Sequence, residues 1–369
     1  MRAKKKLTIL LSEGHGLRFN SPRESRHQLM WKWFPHDWKW RPLDGLALWN
    51  PLEYFDLIHS FNKIPLTRKP WVITFESILP RTIGKGERIL RLVLRERLLE
   101  ENCYKIIAIS EYARRKFAFF NRGWSGLEQA THKLEVLYPN LPLRARRPKS
   151  YAAGELSLIF VGNLFAHKGG VAAIRFAKKA KERRLPVRLH VISSLQYSDY
   201  TDCSDRSRYN RDIELLELDN VAFHGSLPNS EVIRFMGESH FQLLPTLDDT
   251  FGFSVLEGFS TGTPCIATAV CALPEIVKPG ANGHLLSMPT DENGNWKYLR
   301  QRNWEILDAT YTRLANETLD WIEAFLDSPG QYEALSAGAI EQVQQHHDAT
   351  LASQRLDAIY SAAIGKPSE

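Results

Sequence analysis

Only four cysteines occur in the 369 residues, and Cys103, Cys203, Cys265 and Cys271 show no metal-ligand spacing. In a chain of this length they imply no disulfide framework, and no cysteine–histidine cluster suggests zinc. No apolar run approaches the roughly 18–20 residues that cross a bilayer as a helix. The start, Met1 to Lys6 followed by Leu7-Thr8-Ile9-Leu10-Leu11, has a basic leading region. Its apolar run is too short for a signal peptide and lacks a small-residue cleavage site, so it reads as a first buried strand. There is no internal repeat, no low-complexity tract, no Gly-x-Ser-x-Gly and no P-loop. Together these absences argue against secreted, membrane-spanning, zinc-dependent and serine-hydrolase classes and lead us to expect a cytoplasmic protein.

What is present is enough apolar residue, 43% of the chain, for two domains with separate cores. The net charge of +6 is unevenly placed. Residues 1–150 hold 29 Lys+Arg and 14 Asp+Glu, net +15, against 19 and 28, net −9, in the remainder. A basic N-terminal half suits an anionic lipid or glycan, or nucleic acid. No nucleic-acid recognition motif accompanies the charge, and none is expected as partner.

Apolar strand-like segments alternate with helical ones throughout, the pattern of parallel α/β sheets. In the first half the expected strands are Leu7–Leu11, Leu57–His59, Trp71–Phe75, Lys105–Ile109 and Leu134–Leu137, with helices over Gly86–Tyr104 and Glu111–Phe120. A Pro- and Arg-rich stretch, Pro139–Ser150, reads as a linker. Beyond it lie strands Leu156–Gly162, Arg188–Ile192, Val221–Phe223, Phe241–Leu244 and Pro264–Ala267, a helix Val171–Arg183, a turn and strand at Asn282–Leu286, and a helical tail over Gln331–Ile364. His346-His347-Asp348 is expected to face solvent within that tail. The domain reading is therefore 1–150, 151–330 and a tail, 331–369.

One segment carries the most chemistry: Asp249 and Glu257 bracket Phe251-Gly252-Phe253-Ser254-Val255. A helix should start there, with Ser254 as its cap and Ser254-x-x-Glu257 at capping-box spacing. The first N–H groups of a helix lack internal partners and, with the helix dipole, attract phosphate. A glycine at 252 lets backbone approach a ligand closely. Carboxylates at both ends suit a ligand with hydroxyls on either side of a phosphate, the layout of a nucleotide sugar.

The segment resembles the acid-x7-acid motif of retaining GT-B enzymes in the glycosyltransferase group 1 family, with Asp249 where the family usually has glutamate. Phe160-Val161-Gly162-Asn163-Leu164 followed by Lys168-Gly169 is similar to that family's phosphate-binding segment, with Asn163 in place of its arginine. Asn220–Gly225, Ala272–Ile276 and Asn282-Gly283 match further family turns; the first half matches only in outline. The resemblance implies a fold of two Rossmann-like domains facing across a cleft, the first binding the acceptor, the second the donor, with a last helix crossing back. It implies a hexosyltransferase of polysaccharide-biosynthesis type that moves sugar from a nucleoside-diphosphate sugar to a glycan or lipid-linked acceptor with retained configuration, without metal or other cofactor. A sugar-nucleotide hydrolase or epimerase, and a non-catalytic GT-B binding protein, are the alternatives.

By the same resemblance Gly162, Asn163, Lys168, Phe251, Gly252, Phe253, Ser254, Val255 and Glu257 bind the donor, and Asp249 meets the donor sugar, unless that role passes to Asp248. Glu76, at the end of Trp71–Phe75 where relatives often carry histidine, is the second catalytic candidate, as base or as stabiliser of positive charge on the sugar. Gly14, His15 and Gly16 form a candidate phosphate or acceptor loop. Finally, Trp31–Arg41 alternates tryptophan with cations, and Arg88, Arg91 and Arg95 share a helical face. Both features suit peripheral binding to an anionic inner-membrane surface, or a core with a solvated arginine stripe.

Overall fold

The computed structural model describes residues 6–32, 44–48, 52–82 and 87–365. Most of the tryptophan- and cation-rich segment (33–41), Gly86 and the side chain of His15 lie outside the described residues. The chain forms two units, Met1–Leu141 with His346–Glu369, and Pro142–Gln345. Counted by unit, the charges are 27 basic against 17 acidic, net +10, and 21 against 25, net −4.

In the first unit the elements are β1 (Thr8–Ser12), α1 (His15–Arg18), β2 (Gln28–Lys32), β3 (Leu46–Ala47), β4 (Leu57–Phe61), β5 (Ile64–Pro65), β6 (Trp71–Phe75), α2 (Glu87–Leu99), β7 (Cys103–Ala108), α3 (Glu111–Phe120), α4 (Leu127–His132) and β8 (Leu134–Val136). Six strands make one sheet in the order β2-β1-β4-β6-β7-β8, all pairings parallel. Each residue of the central strand β6 is buried, as expected of a strand covered on both faces. The edge strand β2 is exposed at Gln28 and Lys32 and only half-buried between, so its sequence shows no continuous apolar run. Trp31 packs on the core rather than standing free of it.

The second unit runs β9 (Leu156–Val161), α5 (Gly170–Glu182), β10 (Val187–Ile192), α6 (Asn210–Ile213), β11 (Val221–Phe223), α7 (Asn229–Glu238), β12 (Phe241–Leu244), α8 (Phe253–Ser260), β13 (Cys265–Thr268), α9 (Leu273–Ile276), β14 (Gly283–Leu286), α10 (Trp304–Asp327) and α11 (Tyr332–His346). Its parallel sheet has the order β11-β10-β9-β12-β13-β14. Counted within the unit this is 3-2-1-4-5-6, the doubly wound order of dinucleotide-binding folds. Helix α10, 24 residues long, lies outside the helices expected above.

The tail is not one helix. It breaks after His346, and α12 (Ala349–Gly365) starts on the side chain of Asp348, whose Oδ1 accepts from the N–H groups of Thr350 (2.9 Å) and Leu351 (2.8 Å). His347 does not face solvent: it is 1% exposed, with Nδ1 2.8 Å from the carbonyl of Pro139. The reason is that a residue between two helices turns its side chain inward to satisfy a buried carbonyl. Helix α12 belongs to the first unit. Leu356, Ile359 and Tyr360 join Ile9, Leu11, Leu57 and Val72 in its core. Each aliphatic side chain buried there contributes about 1.5–3 kcal/mol. At the centre, His59 bridges Tyr360 (Nδ1 to OH, 2.7 Å) and Thr74 (Nε2 to Oγ1, 2.7 Å).

Helix α2 differs from its expected arrangement. Arg88 is exposed, but Arg91 and Arg95 are not part of a solvated stripe: Arg91 lies over the Phe120 ring at 4.4 Å, and Arg95 donates to Asn121 Oδ1 (2.8 Å) and Phe120 O (3.1 Å). The face left outside carries Ile89, Leu92 and Val93 between Arg88 and Glu96, because two of the guanidinium groups found acceptors and a ring at the end of α3.

Candidate functional site

In the second sheet the strand order reverses between β9 and β12. Loops leaving neighbouring strands at such a point diverge, and the crevice at their carboxyl ends is where α/β sheets hold ligands. The loop after β9 carries Gly162 to Lys168, and the loop after β12 carries Pro245 to Gly252.

Two glycines bring these loops together. A Cβ on Gly162 would lie 2.8 Å from Lys168 Cβ, so the missing side chain makes room for the lysine stem. Gly169 has φ +84 and caps α5, and a Cβ there would be 2.0 Å from the carbonyl oxygen of Pro245. Only glycine fits this close approach. The loops are then tied by backbone: Leu247 N donates to His167 O (2.9 Å), as does Thr246 Oγ1 (3.2 Å). The result sets Lys168 Nζ 2.9 Å from Asp249 Oδ2 and 3.3 Å from Asp248 O.

Asp249 also shapes the turn beyond it. Its Oδ1 accepts from the N–H groups of Phe251 (3.2 Å) and Gly252 (2.7 Å). Burial alone would raise its pKa, but the Lys168 ammonium and these two N–H groups outweigh it and hold the carboxyl below its usual value. The turn places Gly252 at φ 91, where it serves as N-cap of α8. A Cβ there would meet Leu273 Cδ2 at 2.6 Å. Ser254 is therefore not the cap. It lies inside the first turn, no side chain caps this helix, and the capping box with Glu257 does not form. Val255 N and Leu256 N both turn back to Gly252 O, at 2.9 and 3.3 Å. The N–H of Ser254, ahead of any intrahelical acceptor, belongs to the orphan donors of a helix start.

Phe251 and Val255 are buried, so at this turn they offer backbone rather than side chain. Glu257, half-buried one turn into α8, accepts from Asn229 Nδ2 at 2.9 Å. Asn163 is exposed, and its carbonyl accepts from Gln196 N at 2.9 Å.

Three further side chains complete the surroundings. Asp248 is held at both oxygens, by Cys271 Sγ (3.0 Å) and Tyr200 OH (3.2 Å). Burial raises its pKa, and burial together with Asp248 raises that of the Tyr200 phenol. His167, 2% exposed and 2.9 Å from Thr201 Oγ1, is pushed down to about 3 by burial and by Lys168, so it stays neutral. Sequence reading passed over His167, Tyr200 and Cys271. His167 adjoins Lys168 and was findable by adjacency, whereas Tyr200 reaches Asp248 across 48 positions with no local signal.

In the first unit the remaining candidates sit at strand ends. Glu76 follows β6 and exchanges bonds with Asn62 beyond β4: Asn62 Nδ2 to Oε1 at 3.0 Å, and Glu76 N to Asn62 Oδ1 at 3.1 Å. Arg81 NH1 lies 3.4 Å from the same Oε1. Gly14 caps α1 after β1, and a Cβ on Gly16 would strike the Phe61 ring at 2.4 Å. The two segments leave the carboxyl ends of β1 and β6, which flank β4, and His15 and Gly16 lie in α1 rather than in the expected loop.

A lysine, a capless helix start behind a left-handed glycine and flanking carboxylates amount to a site for an anion bearing hydroxyls. Among the described residues no group of three or more His, Cys, Asp or Glu could hold a metal ion.

The chain resembles known proteins in part of its sequence and in its fold. Residues 144–299 match the family described as Glycosyl transferases group 1. The D-inositol 3-phosphate glycosyltransferase of Corynebacterium aurimucosum is 26% identical over 221 residues, which is 60% of this chain and 46% of that protein. The match thus spans about half the length of that relative. The N-acetyl-alpha-D-glucosaminyl L-malate synthase of Bacillus anthracis is 36% identical over 67 residues, 18% of this chain and 17% of the relative. Among solved structures, HepE of Anabaena in complex with UDP superposes with a TM-score of 0.63 at 16% identity, covering 96% of this chain and 100% of that one. A glycosyltransferase from Rickettsia africae gives 0.62 at 12%, covering 98% and 100%. The chain has the GT-B fold, and residues 144–299 of its second unit match the glycosyl transferases group 1 family.

Proposed function

We propose that this chain is a retaining glycosyltransferase of hexosyl type that moves sugar from a nucleoside-diphosphate sugar to a glycan or lipid-linked acceptor, in polysaccharide biosynthesis on the cytoplasmic side. The observation that carries this reading is the meeting of Lys168 with the capless start of α8 at the β9/β12 reversal. The family match and the neighbour solved with UDP support it.

In this reading the diphosphate lies at the helix start Gly252–Val255, where the Ser254 N–H has no intrahelical acceptor. Lys168 offsets the charge that grows on the leaving nucleotide, the electrostatic contribution expected to be largest. That assignment gives the neutralising role to Lys168 and the helix dipole, with no metal ion required. Glu257 receives ribose hydroxyls. Asp249 meets the donor sugar: a carboxylate offers about four acceptor sites, three are taken by Lys168, Phe251 N and Gly252 N, and one is left for a hydroxyl. Asp248, with one donor on each oxygen from Cys271 and Tyr200, is the alternative for this role. Glu76 is the candidate base or charge stabiliser, and Gly14-His15-Gly16 the loop toward phosphate or acceptor.

Titration of UDP, GDP and ADP against the protein, Lys168→Ala and Glu257→Ala tests the donor site. Binding of one nucleotide that weakens in both variants is expected; no binding, or equal binding by the variants, defeats it. Release of nucleoside diphosphate from the matching nucleotide sugar only when acceptor is present separates transfer from hydrolysis.

A further inference from the structure

Helix α2 turns an apolar face outward. Ile89 is 73% exposed, Leu92 58% and Val93 53%, while Leu94 and Leu98 are buried. Side chains three and four apart share a helix face, so Ile89, Leu92 and Val93 form one patch. The patch continues beyond the helix. Arg97, one turn after Val93, donates to the carbonyls of Pro65 (3.0 Å) and Thr67 (2.7 Å). It thereby seats the exposed Leu66 and Arg68 next to the same helix.

The charges around the patch are mostly paired. Glu87 pairs with Arg91, Glu100 with Arg97, and Glu96 accepts from Trp124 Nε1. Glu87 and Glu100 are thereby offset by arginines, whereas Glu96, exposed on the same face, keeps its charge because the indole N–H is neutral. Arg88 on α2 and Arg68 on the loop are exposed and have no charge partner among the described residues. They stand on a unit of net charge +10. Exposed aliphatic side chains beside two cations without charge partners, on a unit of net positive charge, fit the boundary between acyl chains and anionic headgroups. A protein partner would have to offer acids and a matching groove, and nothing in the chain points to one.

We infer that the Ile89–Leu92–Val93 face of α2, with Arg88, Arg68 and Leu66, docks the first unit onto a bilayer surface rich in anionic phospholipid. The helix lies in the interface plane and does not cross it. No helix of the described residues is long and apolar enough to cross a membrane. This inference stands apart from the donor-site reading, since it uses none of its residues.

The test is vesicle flotation of the full chain with phosphatidylcholine alone and with phosphatidylglycerol added, at about 50 mM and about 500 mM salt, a range over which screening shortens several-fold. Binding to anionic vesicles at low salt, lost at high salt, is expected. Leu92→Glu with Val93→Glu should weaken it by about tenfold or more, and Arg88→Glu with Arg68→Glu should weaken it on anionic vesicles only. These positions are exposed, and circular dichroism with a melting curve is the check that the variants remain folded. No binding at low salt, or binding unchanged by Leu92→Glu with Val93→Glu, overturns the inference. So does a doubled sedimentation mass that reverts in that variant, since the face would then join two copies.

Discussion

Gly169→Ala separates two costs that a glycine can hide. At φ +84 any L side chain is strained by about 1 kcal/mol. In addition, the new Cβ would sit 2.0 Å from Pro245 O and 2.4 Å from Pro245 C, so backbone must move by about 1 Å or more to restore ordinary contact. Overpacking of this kind costs about 1–3 kcal/mol. The sum is roughly 2–4 kcal/mol. Gly280→Ala is the control, because Gly280 has φ +75 in the same unit and nothing within 4 Å of its Cβ, leaving only about 1 kcal/mol. Amide hydrogen exchange along β9 and β12 reads the local stability of both variants. The shift that relieves Gly169→Ala also moves Lys168 relative to Asp249, so nucleotide affinity should fall about tenfold or more in that variant alone. Equal stability losses in the two variants, with nucleotide affinity retained in Gly169→Ala, would refute the claim that this glycine sets the two loops in contact.

Other perturbations reach different parts of the molecule. Gln242, fully buried on β12, has both side-chain polar atoms without a partner, and its Oε1 lies 2.6 Å from where a Cβ on Gly258 would be. Gln242→Met should raise stability by about 1–2 kcal/mol, read by chemical denaturation, and a loss of that size would show that the amide is used. Burial pushes His59 down to about 3. The unfolded chain then binds the extra proton between pH 6.5 and 3, so stability falls as pH drops through that window, by about 2 kcal/mol at pH 5. Imidazole NMR should find His59 neutral at pH 5, and His59→Asn should flatten the pH dependence of the first unit by that amount. A protonated His59 at pH 5 contradicts the buried bridge to Tyr360 and Thr74.

The central strands were legible because burial on both faces writes continuous apolar runs, as in Leu156–Val161 and Phe241–Leu244. The edge strand Gln28–Lys32 was not, because an edge leaves its ends exposed and polar. The acids and Lys168 could be singled out from spacing and resemblance, but the helix start could not be placed to the residue. Ser254 has the better capping chemistry, yet Asp249 closes a turn that makes Gly252 the cap. The arginines of α2 show the same limit: periodicity put Arg88, Arg91 and Arg95 on one face, and only the end of α3 decided that Arg91 and Arg95 turn inward. Pairings such as His59 with Tyr360, 301 positions apart, have no local signature at all.

The functional reading stands or falls on Lys168 holding the phosphates of a nucleotide donor. A thermodynamic cycle tests it: calorimetric affinities of the best-binding nucleoside diphosphate and of its parent nucleoside, each for the protein and for Lys168→Met. Coupling of about 1.5–3 kcal/mol is expected, with Lys168→Met weakening the diphosphate roughly ten- to hundredfold and leaving the nucleoside nearly untouched. Equal losses for both ligands, or no loss for either, would contradict it.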